Sequence, residues 1–303
     1  MGGAFEPPRR LSALAYGSPI GLRCDAMIEN QKPPNAVTRI RERHVPAAVV
    51  AGLGATLLFT ACAAPQPCTR DHGAAIRGDT SRRQIALIFT GGEYGEGTEF
   101  ILNALRDAAI QAGFFVTGDY VAHVDHHARL RRMVLEGHYV GPHSHTHPLY
   151  CPWEDRERTL VTREFFTCDL ARNIAELREF GALQPNQPVY FIPPYEWYNA
   201  DQVEWAAQMG VTLFNFSPGS GSNRDWIPEG HARFVSSGQI LRDILAYEQQ
   251  DPRGLNGFFL LLHLGSRRVD KMHVHLPALI DALRDRGYTF ARVDTLLAAC
   301  DQK

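Results

Sequence analysis

The sequence predicts an α/β fold, a distorted or incomplete parallel (β/α) barrel of about seven units. Short continuous apolar runs alternate with stretches of helical spacing between residues 81 and 303. Such runs mark strands buried on both faces. A full eight-unit barrel typically takes about 250 residues, more than this span offers. Carboxylates, imidazoles and aromatics collect just after the apolar runs, where both barrels and doubly wound sheets carry their function.

The first strand is Ile85-Ala86-Leu87-Ile88-Phe89, followed by a loop punctuated by Gly91, Gly92, Gly95 and Gly97. Phe100, Ile101, Ala104, Leu105 and Ala108 then recur at helical spacing. Gly113-Phe114-Phe115-Val116 is the second strand, with a helix around Leu130, Met133, Val134 and Leu135. Tyr139-Val140-Gly141 is the third, and Phe165, Phe166, Leu170, Ile174 and Leu177 mark a long helix behind it. Val189–Ile192 is the fourth strand, and a helix over 199–209 leads to the fifth at Val211–Phe214. Ile240, Leu241, Ile244 and Leu245 are helical before the Leu-rich strand Phe258–Leu262. Leu276, Leu279, Ile280 and Leu283 form the next helix, and Tyr288-Thr289-Phe290 is the last strand.

The first 80 residues have a different character. Arg39, Arg41 and Arg43 precede an uncharged run from Val45 to Cys62, a basic flank before a short apolar core. This is the pattern of a secretory signal and is marginal for a membrane span, which needs about 20 apolar residues. The run closes on Phe59-Thr60-Ala61-Cys62, which resembles a bacterial lipobox with Phe59 where leucine is usual. The resemblance implies cleavage before Cys62, an acyl anchor on it and attachment to a membrane. Met27 gives an ordinary leader length, so 1–26 reads as a misassigned start, 27–61 as the signal peptide and 62–80 as a polar tether. The domain proper is then 81–303. Ala63 lacks the aspartate that retains some lipoproteins at the inner membrane, which points to the periplasmic face of the outer one.

The chain has 303 residues, 45% apolar and 21% charged, with net charge -2. Nothing in that balance offers a basic surface to nucleic acid. Beyond Cys62 four cysteines remain, Cys68, Cys151, Cys168 and Cys300. Cys68 with Cys300 would join the ends, Cys151 with Cys168 would close a loop, and free buried thiols are the third arrangement.

Reading only the strand ends gives a compact set of chemical groups. They are Thr90 to Glu93, Thr117 to Tyr120 with Asp119, His143 to His147, Pro193 to Tyr198 with Glu196, Asn215 to Gly219, and His263. His143 and His147, four residues apart after a strand, are placed to share one divalent, zinc-like metal. Tyr195, Trp197 and Tyr198, with Trp153 and Trp226 nearby, offer faces on which sugar rings pack.

Residues 84–148 and 189–297 resemble the NodB-homology polysaccharide deacetylases, metal-dependent carbohydrate esterases. The likeness runs through Ile85–Phe89, Ala112–Gly118, Glu136–Pro148, Pro193-Pro194-Tyr195, Leu260–His263 and Gly287-Tyr288. It implies a distorted barrel, a polysaccharide substrate and hydrolysis of acetyl groups from a cell-envelope or extracellular glycan. It also implies His143 and His147 as metal ligands and His263 as the acid for the leaving group. This chain departs from the family where two adjacent aspartates, a base and a metal ligand, are replaced by Thr90 and Gly91. Ile192 stands for the family's arginine, and Leu264 for the aspartate after the last histidine. If chemistry persists, Glu93, Asp119 and Glu196 are the carboxylates placed to supply a ligand or a base. Two other readings follow from the same departures: a metal-free glycan hydrolase acting through Glu93 and Glu196, and an inactive glycan-binding lipoprotein.

Overall fold

The computed structural model describes residues 67–301. The expected start segment, signal peptide and Cys62 lie outside the described residues. β1 (Thr69–Asp71) and β2 (Ala74–Arg77) form an antiparallel hairpin turning at His72 and Gly73, both with positive φ. Ala74 and Ala75 are wholly buried. The tether expected over 62–80 therefore does not extend past the start of this hairpin. Its buried side chains are small and few, and gave no apolar run to recognise.

The body alternates strand and helix as the periodicity predicts. β3 (Gln84–Gly91), β4 (Gly113–Val116), β5 (Tyr139–Pro142), β6 (Val189–Phe191), β7 (Val211–Leu213), β8 (Phe258–His263) and β9 (Thr289–Phe290) are the strands. The helices between and after them are α1 (Thr98–Asp107), α2 (Gly118–Ala122), α3 (His127–Leu135), α4 (Arg163–Glu179), α5 (Ala200–Gln208), α6 (Ser237–Gln250), α7 (Leu276–Asp285) and α8 (Val293–Asp301). Side-chain caps fix several starts. Thr162 caps α4, Ser236 caps α6, and Asn199 with Gln202 makes a capping box on α5. No helix among the described residues is long and apolar enough to cross a membrane.

β3 lies at the centre, parallel to β8 on one edge and to β4 on the other, with β5 beyond β4. β9 pairs with the first two residues of β3. β6 and β7 form a separate parallel pair. Side chains bridge the places where the strand ladder is interrupted. The Tyr139 hydroxyl accepts the backbone N–H of Tyr190 at 2.8 Å and donates to the Pro188 carbonyl at 3.0 Å, joining β5 to β6. Here Gly141 is required, because a Cβ on it would lie 2.8 Å from the Tyr190 carbonyl oxygen. On the far side, β2 meets the end of β7 through Ala75 and Phe214. The Ser217 hydroxyl donates to the Ile76 carbonyl at 2.6 Å and accepts from the Phe259 N–H at 2.9 Å, tying β2 to β8. The result is a parallel barrel, distorted and interrupted, as the sequence predicts.

Strand parity sorts the core into two layers. Ala86, Ile88, Phe115, Tyr139, Tyr190, Ile192, Phe214, Phe259 and Leu261 fill the interior, with Val293, Leu296 and Leu297 of α8 packed against them. The alternate residues, such as Ile85, Leu87, Phe89, Phe114, Leu260 and Leu262, pack outward against the helices. α8 was not apparent from the sequence, because its inward stripe is three residues wide and follows a two-residue strand. Of the cysteine pairings considered, Cys68–Cys300 is formed, whereas Cys151 and Cys168 do not bond to each other.

Two expected outcomes follow. Tyr139→Phe leaves the buried Tyr190 N–H without its acceptor and should lower stability by about 1–3 kcal/mol, read by denaturant unfolding. The disulfide spans a sequence separation of 232 residues, and the chain-entropy account for so long a loop gives up to about 5 kcal/mol. Reduction, or Cys68→Ser, should accordingly lower Tm by roughly 10 °C or more in a thermal scan.

Candidate active site at the mouth of the barrel

Parity also decides which residues reach the mouth. Beyond Leu261, which faces inward, the next inward position on β8 is His263, and its register partner on β3 is Thr90. Two and four residues past Tyr139 on β5 come Gly141 and His143, which continue inward. The three matched histidines and Thr90 therefore belong to one end of the barrel. His143 is almost wholly buried; His147 and His263 are partly so.

The turn carrying the first two imidazoles is held from α4. Asn173 Oδ1 accepts the His143 N–H at 3.0 Å. Asp169 accepts the N–H groups of His145 and Thr146 and the Thr146 hydroxyl, at 2.9, 3.1 and 2.6 Å. Ser144 and His147 take left-handed backbone conformations, and the Ser144 hydroxyl accepts the His147 N–H at 3.0 Å. Non-glycine residues held this way store strain that tight packing must overcome. The result is two rings with centroids 5.0 Å apart. His143 Nδ1 donates to the Ile192 carbonyl at 2.8 Å, which leaves its Nε2 with the lone pair. Burial holds His143 well below the ordinary imidazole value, and burial together with the charge of His263 brings His147 down to about 4. Both are therefore neutral at physiological pH.

His263 is the opposite case. Burial works against its charge, yet the Asp225 carboxylate outweighs it, aided by Glu196, and raises the imidazole above its usual value. Asp225 Oδ1 accepts the Nδ1–H at 2.6 Å, and Oδ2 accepts the His263 backbone N–H at 2.9 Å. Asp225 did not emerge from reading strand ends because it lies deep in the long loop after β7. Buried Arg268 braces that loop by donating to the carbonyls of Arg224, Ile227 and Val235. Glu196 completes the group. Burial pushes its carboxyl up to about 7, with His263 opposing and Asp225 reinforcing the shift. Tyr195 and Glu196 both have positive φ, and the Asn215 amide fixes the Glu196 carbonyl at 2.8 Å.

The other predicted positions divide. Asp119 is exposed on α2, close enough for its charge to act on His147. Glu93 is exposed on the loop after β3, and its charge is felt by Arg267 on the rim. It is not in the group around Glu196, which takes away the support for a Glu93/Glu196 pair. Tyr195 is 42% exposed with its ring 4.4 Å from that of His147. Trp197 is half-buried, its indole N–H donating to the Pro152 carbonyl at 3.1 Å. Tyr198 is wholly buried and donates to the Asp71 carbonyl at 3.1 Å. It belongs to the core and offers no face to a substrate; the hairpin that covers it was invisible in the sequence.

The vacated carboxylate positions are packed over. A Cβ on Gly91 would lie 2.6 Å from Cδ1 of Leu264, so the leucine that replaces one acidic residue fills the space of another. Thr90 is buried with no hydrogen-bond partner for its hydroxyl. Among the described residues, no group of three or more His, Cys, Asp and Glu side chains converges as a metal site. His143 and His147 nonetheless have the donor chemistry for two corners of a zinc-like ion. They are neutral, and His143 has its second nitrogen anchored on a carbonyl, as metal-bound imidazoles commonly do. Catalytic zinc normally takes three protein ligands, so the set is one donor short.

With this geometry in view, comparison with known proteins is informative. The polysaccharide deacetylase model matches residues 77–214. A chitooligosaccharide deacetylase of Bradyrhizobium is 32% identical over 161 residues, 53% of this chain and 67% of that protein. Among solved structures, Bacillus subtilis PdaA, a family 4 carbohydrate esterase, superposes with TM-score 0.59 at 22% identity, over 75% of this chain and 86% of that one. Bacillus anthracis BA3943, described as a pseudoenzyme of the same family, gives TM-score 0.59 at 19% identity, over 76% and 70%. The chain belongs to the polysaccharide deacetylase family.

Proposed function

We propose that this protein hydrolyses acetyl groups from a cell-envelope or extracellular glycan, with Glu196 as general base and His263 as general acid. The observation that carries the reading is the 2.6 Å His263–Asp225 pair, with the half-buried Glu196 carboxyl, pushed up to about 7, near enough for the charges to act on each other. Amide or ester hydrolysis needs an activated water and a proton for the leaving group. A base is most effective when its pKa lies near the working pH, which is where burial has moved Glu196. Asp225 fixes the proton on His263 Nδ1 and favours the charged ring, so Nε2–H is free to protonate the departing amine or alkoxide. His143 and His147 would hold the divalent, zinc-like ion, whose contribution when bound is to polarise the acetyl carbonyl. Asp119 is the exposed carboxylate placed to favour positive charge beside them.

The cellular setting belongs to the same proposal: a lipoprotein anchored through Cys62 at the periplasmic face of the outer membrane. It is supported by the basic-then-apolar run ending at Cys62 and by the Cys68–Cys300 disulfide, a bond that persists in oxidising compartments. A second reading, a glycan-binding protein without catalysis, is favoured by the packing of Leu264 against Gly91. The pseudoenzyme among the structural relatives supports it too.

Acetate release from acetylated glycans decides between the two readings. The wild-type protein should release acetate, and Glu196→Gln should cut the rate by roughly 10²–10⁴-fold. No release by correctly folded wild-type protein would sink the catalytic reading and leave the second. The rate should rise with pH through about 7 as Glu196 loses its proton. It should fall again once His263 deprotonates above its usual value.

Stability gives an independent check. Glu196 binds its proton more tightly folded than unfolded, so its contribution to stability declines as pH rises from about 4.5 to about 7. Glu196→Gln should therefore be more stable than wild type at pH 8, by about 2–3 kcal/mol, and equal to it at pH 4. In an NMR titration, His263 should protonate above the ordinary imidazole value. In Asp225→Asn it should fall, because burial is then opposed only by Glu196.

A further inference from the structure

We propose that Trp153 forms a sugar-binding platform beside the active site, taking the flat apolar face of the neighbouring sugar in the acetylated glycan. The proposed function supplies only the ligand class; the platform itself follows from geometry. Trp153 is 60% exposed, yet its ring is held on two sides. It meets Tyr195 edge-on at 5.8 Å and 83°, and Trp197 at 5.8 Å and 31°. Trp197 is itself fixed. The Arg156 guanidinium lies between it and Tyr198, 4.6 and 4.7 Å from the two ring centroids, with Nη1 2.7 Å from Asp71. An aromatic surface already ordered loses little conformational entropy when a ligand packs on it.

Position makes the platform part of the site. Tyr195 touches His147 on one side and Trp153 on the other. A glycan residue at the imidazoles therefore has its chain neighbour within reach of the Trp153 indole. Trp153 sits in the loop that leaves His147, so its placement and that of the metal-type imidazoles share one segment. The groups around it suit a sugar. The following residues Glu154, Asp155, Glu157 and Arg158 are exposed and charged. Such groups at the rim of an aromatic face supply hydrogen bonds to sugar hydroxyls. An exposed indole next to carboxylates and guanidinium presents an apolar face with hydrogen-bonding edges.

The test is isothermal titration of the full protein with β-1,4-linked tetra-N-acetylglucosamine. Wild type should bind, Trp153→Ala should weaken binding tenfold or more, and Trp153→Phe should recover part of the loss. Matching Tm values for the three proteins would show that the fold is intact. Unchanged affinity in Trp153→Ala, or no binding by wild type, overturns the platform. So does sedimentation showing a wild-type dimer that Trp153→Ala abolishes, which would make the indole a self-association contact. The outcomes are separable from those above. Trp153-dependent binding without acetate release leaves the platform standing and removes catalysis. Acetate release with Trp153-independent binding does the reverse.

Discussion

Everything at the mouth depends on a geometric constraint: a strand in a barrel wall presents every second residue to the interior. Once Ile88 and Leu261 face inward as core, Thr90 and His263 must face inward too, two residues further along paired strands. The same count from Tyr139 reaches His143. The hydrophobic core and the polar site are thus one continuous column of side chains. The change from apolar to ionisable occurs where the strands end and water begins. The Tyr139 and Ser217 hydroxyls, which bridge the gaps in the wall, maintain the register on which that count rests.

Charge is distributed by burial and partner. His143 and His147 lie close together, His143 almost wholly and His147 partly buried, without a carboxylate bonded to either ring, and stay neutral. His263, partly buried, has Asp225 at 2.6 Å, which raises its imidazole above the usual value. Asp225 raises His263, whose charge adds to the effect of burial on His143 and His147 and opposes it on Glu196.

Much of this could be read from the sequence, because long buried strands leave a plain signal. Ile85–Phe89 and Phe258–Leu262 are apolar throughout and sit where expected, and His263 at the end of the second came with it. What stayed hidden depends on contacts between distant segments. Ala74 and Ala75 are too small to mark a strand, so the hairpin read as tether. Tyr198 looked like a binding residue because nothing local shows that Asp71 covers it. Asp225 has no periodicity and no neighbouring motif, and only folding of its loop brings it to His263. Glu93, close in sequence to the vacated positions, turned out to lie on the rim with Arg267. Proximity along the chain was a poor guide there because Glu93 is exposed on the loop and faces solvent.

The Cys68–Cys300 bond has a consequence for wear rather than for folding. Its two sulfurs enclose nearly the whole described chain in one covalent ring, including every loop around the mouth. A protease that cuts one exposed loop, the Trp153 segment among them, opens the ring but releases no fragment. Both pieces stay joined and packed on the same core, so the nicked molecule keeps its barrel until a second cut falls.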